Sequence, residues 1–286
     1  MLGNNLVRQY REEFSVIAGH RDEYCFVNIQ ENYSFDITDL QSVQYLFNKI
    51  KPDVIIHCAG ITNVDLCEDQ PELAYNANVE GTRNLSLACG SETLFIYIST
   101  DSVYGDSKDH SEQNKDLVQI NQYARTKYLG EIVIRDNCRK YMIIRTNIFG
   151  WNVKPGRLCS AEWMFDTLDK GEKLFLFTDY LFSPIYVNSL SKILKKLLEI
   201  QFIGIINIGS SIPCTKYEFG IGLAQEFGFD KNLIQPKSIL DYKFKAKRTK
   251  TLFLNLDRLE LLGIVAPGYI ESIAQFKLDK NHNGVF

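Results

Sequence analysis

Short apolar runs alternate with amphipathic stretches along the first half of this chain, and that alternation limits the folds open to it. Asp53-Val-Ile-Ile-His57, Leu94 to Ile98 and Tyr141 to Arg145 read as strands. The first two are apolar without interruption, which predicts burial on both faces of a sheet. Between the strands, Leu40 to Ile50, Asn76 to Cys89 and Tyr123 to Asn137 have helical length, the first behind the capping candidates Thr38 and Asp39. Leu2 to Glu13 reads as a helix, and Phe14 to Ala18 as a strand closed by Gly19. Strands alternating with such helices predict an α/β fold built on a doubly wound parallel sheet.

After Asn152 the rhythm breaks. Trp163 to Lys170, Leu190 to Glu199 and Lys216 to Phe227 read as helices, Ile205 to Ile208 as a short strand, and Asn255 to Leu262 as a short helix before Gly263. The pattern divides the chain into residues 1–152 and a smaller unit, 153–286, some of whose elements return to the first.

Charge and composition exclude several classes. A formal net charge of -3 gives no reason to expect nucleic acid or an anionic membrane as partner. Seven cysteines without a CxxC read as reduced thiols, and four histidines without ligand spacing argue against a metal site. No run of about 18 apolar residues is present, so a cytoplasmic protein is expected. The basic stretch Lys243 to Lys250 is either a solvated loop or a contact for a phosphorylated substrate.

Chemistry points to Tyr123-Ala-Arg-Thr-Lys127, which follows the strand ending in Ser99-Thr100. Residues four apart on a helix share a face. Tyr123 would pass a proton, Lys127 would lower the phenol's pKa, and Thr100 would hold the reacting oxygen. Such a set suits hydride chemistry on a carbonyl or alcohol. The bland alternative, a core tyrosine and a surface lysine, loses ground because the strand-helix order places all three together. His57 reads as a core residue, Asn78 as a structural hydrogen-bonder, and Cys58 as an inert thiol.

A nucleotide-binding sheet opens with a strand, a glycine-rich turn and a helix. Here Met1-Leu2-Gly3 runs straight into a helix, so Phe14 to Ala18 is expected to be a second strand. Gly3 is then the last glycine of a turn whose first part lies upstream of the recorded start.

The residues resemble the extended short-chain dehydrogenase/reductases, and within them the dTDP-4-dehydrorhamnose reductase, or sugar nucleotide-binding, family. The matching stretches are Met1 to Gly3, Phe35 to Thr38, Pro52 to Asp65, Asn78 to Thr82, Ser99 to Gly105 and Tyr123 to Glu131. Arg145-Thr-Asn147, Ser183-Pro184, Lys216 to Phe219 and Leu256 to Gly263 carry the likeness to the tail. It depicts a Rossmann-like unit over 1–152 and a mainly substrate-binding unit over 153–286.

The resemblance implies a cofactor, NADPH or NADH, along Gly3, Arg21, Asp36, Ile37, Cys58, Ala59 and Gly60, with Tyr123 and Lys127 on its ribose. Arg21 favours NADPH, since a cation suits a 2′-phosphate, although Asp22 and Glu23 work against it. It also implies a nucleotide-sugar substrate held by Thr62, Asp65, Asn147, Ser183 and Arg248, and reduction of a 4-keto-6-deoxy sugar. A homodimer is an assembly this reading allows. Two alternatives stand beside reduction. One is redox-neutral epimerisation. The other is a non-catalytic regulatory subunit, as in the family member that partners methionine adenosyltransferase. Thr249 after Arg248, where the family has proline, and the position of Trp151 leave the sugar open.

Overall fold

The computed structural model describes residues 1–21, 29, 31–152 and 158–282. The first half comprises helix α1 (Leu2–Tyr10), strands β1 (Ala18–His20) and β2 (Asn32–Ser34), helix α2 (Leu40–Ile50), strand β3 (Val54–His57) and helices α3 (Val64–Asp69), α4 (Pro71–Tyr75) and α5 (Gly81–Leu87). Strand β4 (Leu94–Ile98), helix α6 (Gln122–Asn137) and strand β5 (Lys140–Phe149) complete it. Then come α7 (Ser160–Asp169), β6 (Leu174–Phe177), β7 (Leu181–Phe182), β8 (Pro184–Tyr186), α8 (Val187–Glu199), β9 (Gly204–Ile208) and β10 (Cys214–Thr215). Helix α9 (Lys216–Phe227), β11 (Ile234–Lys237), β12 (Thr251–Leu252), α10 (Asp257–Leu261) and α11 (Tyr269–His282) follow.

Local chemistry explains several boundaries. Asp39 accepts hydrogen bonds from the Gln41 and Ser42 amides and starts α2 where the sequence places it. Thr215 and Glu218 cap each other's backbone amides and start α9 at Lys216. Asn121 accepts from the Ala124 amide at 2.9 Å and starts α6 one residue before Tyr123.

The main sheet is parallel, in the order β3-β4-β5, with β9 and β8 both pairing with β5. Strand β5 outruns the expected Tyr141 to Arg145 because its two ends serve different neighbours. Met142 to Thr146 pair with β9, and Asn147 to Phe149 pair with β8. Two strands from the second half therefore complete the sheet of the first. One apolar core runs from Leu2 and Leu6 through Ile96, Met142 and Ile144 to Phe219 and Phe276.

The strand expected over Phe14 to Ala18 lies instead at Ala18–His20. Pairing decides this: Ala18, Gly19 and His20 sit in register with Asn32, Tyr33 and Ser34 of β2, whereas Phe14 is exposed. Gly19 is inside the strand, under the Phe35 ring, rather than closing it. Among the described residues β1 pairs only with β2, and no strand lies against the far edge of β3.

Candidate active site

The parallel sheet brings the ends of β3, β4 and β5 together, and the sequence-predicted residues follow. Gly130 lets α6 come down on β4: a Cβ there would lie 2.3 Å from the Tyr97 hydroxyl. That close packing sets Lys127 at the strand end, where its ammonium donates to the Ile98 carbonyl at 2.8 Å and sits 4.0 Å from the centre of the Tyr97 ring. Burial pushes the Lys127 pKa down to about 8, against the opposing pull of Glu131 and Cys58.

Tyr123, one turn earlier on α6, is half-buried. Burial raises its phenol pKa well above the ordinary value; the Thr100 hydroxyl set against it works the other way, and Asp101 and Cys67 add to the rise. Lys127 is not among the main influences on this phenol. Desolvation outweighs every charge near Tyr123, and the phenol is a proton donor at neutral pH.

Thr100, buried at the end of β4, donates to Asp101 Oδ1 at 3.1 Å and accepts from the Ser102 amide at 3.2 Å. Asp101 is 1% exposed and accepts from Asn147 Nδ2 at 2.6 Å through its other oxygen. Burial raises its carboxyl pKa, while Asn147, Thr100, Lys216 and Ser102 pull it back. Asn147 therefore reaches the site through Asp101. Lys216, first residue of α9, lies 3.7 Å from the Phe182 ring centre and is pushed down to about 8 by burial. Burial raises the Tyr180 phenol; Asp101 and Tyr123 add to the rise and Arg248 opposes it.

On the cofactor side, Cys58, Ala59 and Gly60 are solvent-exposed, yet surrounding atoms push the Cys58 thiol up to about 12. Gly3 lies beside this loop, its Cβ position 3.8 Å from Cys58 Cβ. Gly60 has φ +155, and Asn78 braces the loop through the Ile61 amide (2.7 Å), the Ile61 carbonyl (3.0 Å) and Thr126 (3.0 Å). Ile37 packs against Gly81, and Asp36 Oδ1 accepts from the Thr38 amide and hydroxyl, both at 2.8 Å. Arg21 is exposed at the end of β1, its carbonyl accepting from Ser34; Asp22 and Glu23 lie outside the described residues.

The substrate-side residues divide. Arg248 and Asp65 form an ion pair at 3.0 Å, and Thr62 is exposed nearby in the chain. Ser183 is different: fully buried, its hydroxyl accepts from the Leu254 amide at 3.1 Å and braces the second half. The expectation that it lines the nucleotide-sugar site is corrected accordingly. His57 is a buried neutral ring, its Nε2 3.0 Å from Thr82 Oγ1. Sequence reasoning gave no role to Asp101, Tyr180 or Glu131. Only Asp101 carried a usable signal, its position next to Thr100.

A parallel doubly wound sheet with a hydroxyl residue at one strand end, and tyrosine and lysine on the helix beneath it, defines an NAD(P)-dependent oxidoreductase of the short-chain dehydrogenase/reductase type. The chain belongs to the RmlD substrate binding domain family, whose sequence profile matches residues 1–280. It is 29% identical over 266 residues to the probable low-salt glycan biosynthesis reductase Agl14 of Haloferax volcanii, a match covering 91% of this chain and 88% of that protein. It is 26% identical over 258 residues to methionine adenosyltransferase 2 subunit beta of Mus musculus, covering 86% and 77%. The dTDP-4-dehydrorhamnose reductase of Bacillus anthracis, solved in complex with NADP, superposes with a TM-score of 0.81 at 28% identity over 97% of each chain.

Proposed function

We propose that this chain reduces the ketone of a 4-keto-6-deoxy nucleotide sugar, a dTDP-4-dehydrorhamnose reductase-like step in deoxysugar or polysaccharide biosynthesis. The observation that carries this reading is the meeting of Tyr123, Thr100 and Lys127 at the strand ends. A nicotinamide dinucleotide, when bound, supplies the hydride. Gly3, Cys58, Ala59, Gly60 and Lys127 would hold it, with Arg21, Asp36 and Ile37 toward its adenosine end. An exposed loop that must stay glycine at position 60, with Gly3 beside Cys58, fits close backbone approach by such a group. Arg21 favours NADPH over NADH.

Tyr123 carries the proton at its phenol oxygen and delivers it to the sugar oxygen. Thr100, anchored by Asp101, fixes that oxygen's place beside the phenol. Lys127 keeps a cation next to the developing charge, and Asp101 with Asn147 holds the wall behind Thr100. Arg248, Asp65 and Thr62 would meet the nucleotide part of the substrate.

Fluorescence titration of the chain with NADPH and NADH, followed by oxidation of added NADPH with a 4-keto-6-deoxy nucleotide sugar, tests the reading. Tyr123→Phe should lose about 100-fold or more in turnover with cofactor affinity unchanged. An active Tyr123→Phe protein would end the mechanism. The likeness to methionine adenosyltransferase 2 subunit beta supports a second reading, a regulatory subunit. A stoichiometric enzyme partner without turnover of any keto-sugar would favour it, and interconversion of sugars without net NADPH oxidation would favour an epimerase.

A further inference from the structure

Behind the reacting groups lies a buried charge network that the chemistry above does not use. Glu131 is 0% exposed and Arg145 2%. Arg145 Nε and Nη2 donate to the two Glu131 oxygens at 3.0 and 2.7 Å, and Ser99 Oγ donates to Glu131 Oε1 at 2.6 Å. Arg145 Nη1 donates to the Tyr104 hydroxyl at 3.1 Å, which in turn donates to Asn207 at 2.9 Å.

Burying such a pair is a poor way to stabilise a fold, since desolvation consumes most of the attraction and apolar residues of similar volume often do as well. Its position is more telling. Glu131 is one turn beyond Lys127 on α6, Ser99 immediately precedes Thr100, and Arg145 lies on β5. The helix carrying Tyr123 and Lys127 is thus tied to the strand end carrying Thr100 through one carboxylate.

We propose that Glu131 is a positioning residue: it clamps the Ser99-Thr100 strand end to the helix of Tyr123 and Lys127, and its negative charge keeps the buried Lys127 ammonium protonated. The groups facing Lys127 support the second part. From α6 it is Glu131; from the end of β3, His57 and Cys58; from β4, the Tyr97 ring and the Ile98 carbonyl. The Met1 amino group acts on Cys58 from the start of α1. Burial pushes His57 down to about 3 and raises Cys58 and Tyr97, leaving all three uncharged at neutral pH. Among these described groups Glu131 is the carboxylate, and Arg145 holds both its oxygens.

The clamp rests on the reading of Thr100, Tyr123 and Lys127 as the reacting set, so its test is read without turnover. Lysine-labelled full-length protein is titrated by NMR, with the Lys127 signal assigned through Lys127→Arg. In Glu131→Gln the Lys127 midpoint should fall by about one pH unit, while Glu131→Asp should stay near the parent value. Glu131→Gln/Arg145→Met removes both charges and gives a folded variant if the lone guanidinium unfolds the single one; its midpoint should fall by less, because the lost guanidinium offsets part of the lost carboxylate. An unmoved midpoint in a folded Gln variant overturns the proposal. A shifted midpoint in a protein that reduces no keto-sugar supports the electrostatic clamp and counts against the reductase reading alone.

Discussion

Thr100 Oγ1 donates its only proton to Asp101 Oδ1 at 3.1 Å, and this bond decides what Thr100 can offer a substrate. With the Ser102 amide already donating to the same oxygen, Thr100 can donate to a ketone oxygen only by turning this proton away from Asp101. If Asp101 only positions Thr100, Asp101→Asn keeps an acceptor there, and turnover should stay within about tenfold. Asp101→Ala leaves both Thr100 and Asn147 without their carboxylate and should cost roughly 100-fold. Equal losses in steady-state turnover would mean that the acid's own charge or proton is used.

Gly60 combines φ +155 with a Cβ position 2.8 Å from Asn78 Oδ1. Gly60→Ala must strain the backbone and push the Asn78 amide off Ile61, which it now bonds through both amide and carbonyl. A loss of about 1–3 kcal/mol in urea unfolding is expected. NADPH affinity should fall with it, because this loop is one of those proposed to hold the cofactor. Unchanged stability would show that the loop relaxes freely.

Legibility in the sequence followed the range of the interaction concerned. Leu40 to Ile50 and Lys216 to Phe227 were readable to the residue because Asp39, Thr215 and Glu218 act within one turn. Strand β4 was readable because burial on both faces leaves an unmixed apolar run; β3 carries a similar run, yet Val54 is exposed and Ile56 only partly buried, against the expected burial of both faces. Strand β5 was read short, since Asn147 and Ile148 extend it only by pairing with β8, far along the chain. Helix α11 was missed altogether: polar residues run through Tyr269 to Asp279, although Phe276 reaches the main core. At the site, Thr100, Tyr123 and Lys127 announced themselves through spacing. Glu131 lay inside a recognised stretch but gave no sign of Arg145 and Ser99, partners that only folding supplies. Ser183 matched a motif whose hydroxyl turns out to brace Leu254.

His57 makes the protein's stability depend on pH. Its ring is 4% exposed, and burial, with the Lys127 charge adding to it, pushes its pKa from 6.5 to about 3. The unfolded chain therefore binds the extra proton between those values, and stability falls as pH drops through 6.5 toward 3. The His57 share is about 3 kcal/mol at pH 4. Urea titrations at pH 7 and pH 4.5 should show the loss, and His57→Gln should flatten it. A variant whose loss matches the parent's would assign the acid sensitivity elsewhere.

Arg248 gives the clearest prediction on the substrate side because its partner is a stand-in of the right charge. Its guanidinium holds Asp65 at 3.0 Å and the Ala246 carbonyl at 3.1 Å, with Phe244 beneath it at 5.0 Å. The neighbouring lysines are paired likewise: Lys245 with Asp69, Lys247 with Asp106 and Lys250 with Asp179. This answers the ambiguity of the basic stretch, whose charges bridge acids on several surrounding segments. If a substrate diphosphate takes Arg248 from Asp65, the two residues must have opposite effects on KM. Arg248→Ala should raise KM for the nucleotide sugar about tenfold or more, since charge-assisted bonds are lost. Asp65→Asn removes the competitor and should leave KM unchanged or lower it. Partly exposed pairs of this kind contribute under about 1 kcal/mol, so neither variant should move the thermal midpoint by more than a few degrees. A KM that rises equally in both would mean that the intact pair shapes the site, and that the diphosphate does not displace Asp65.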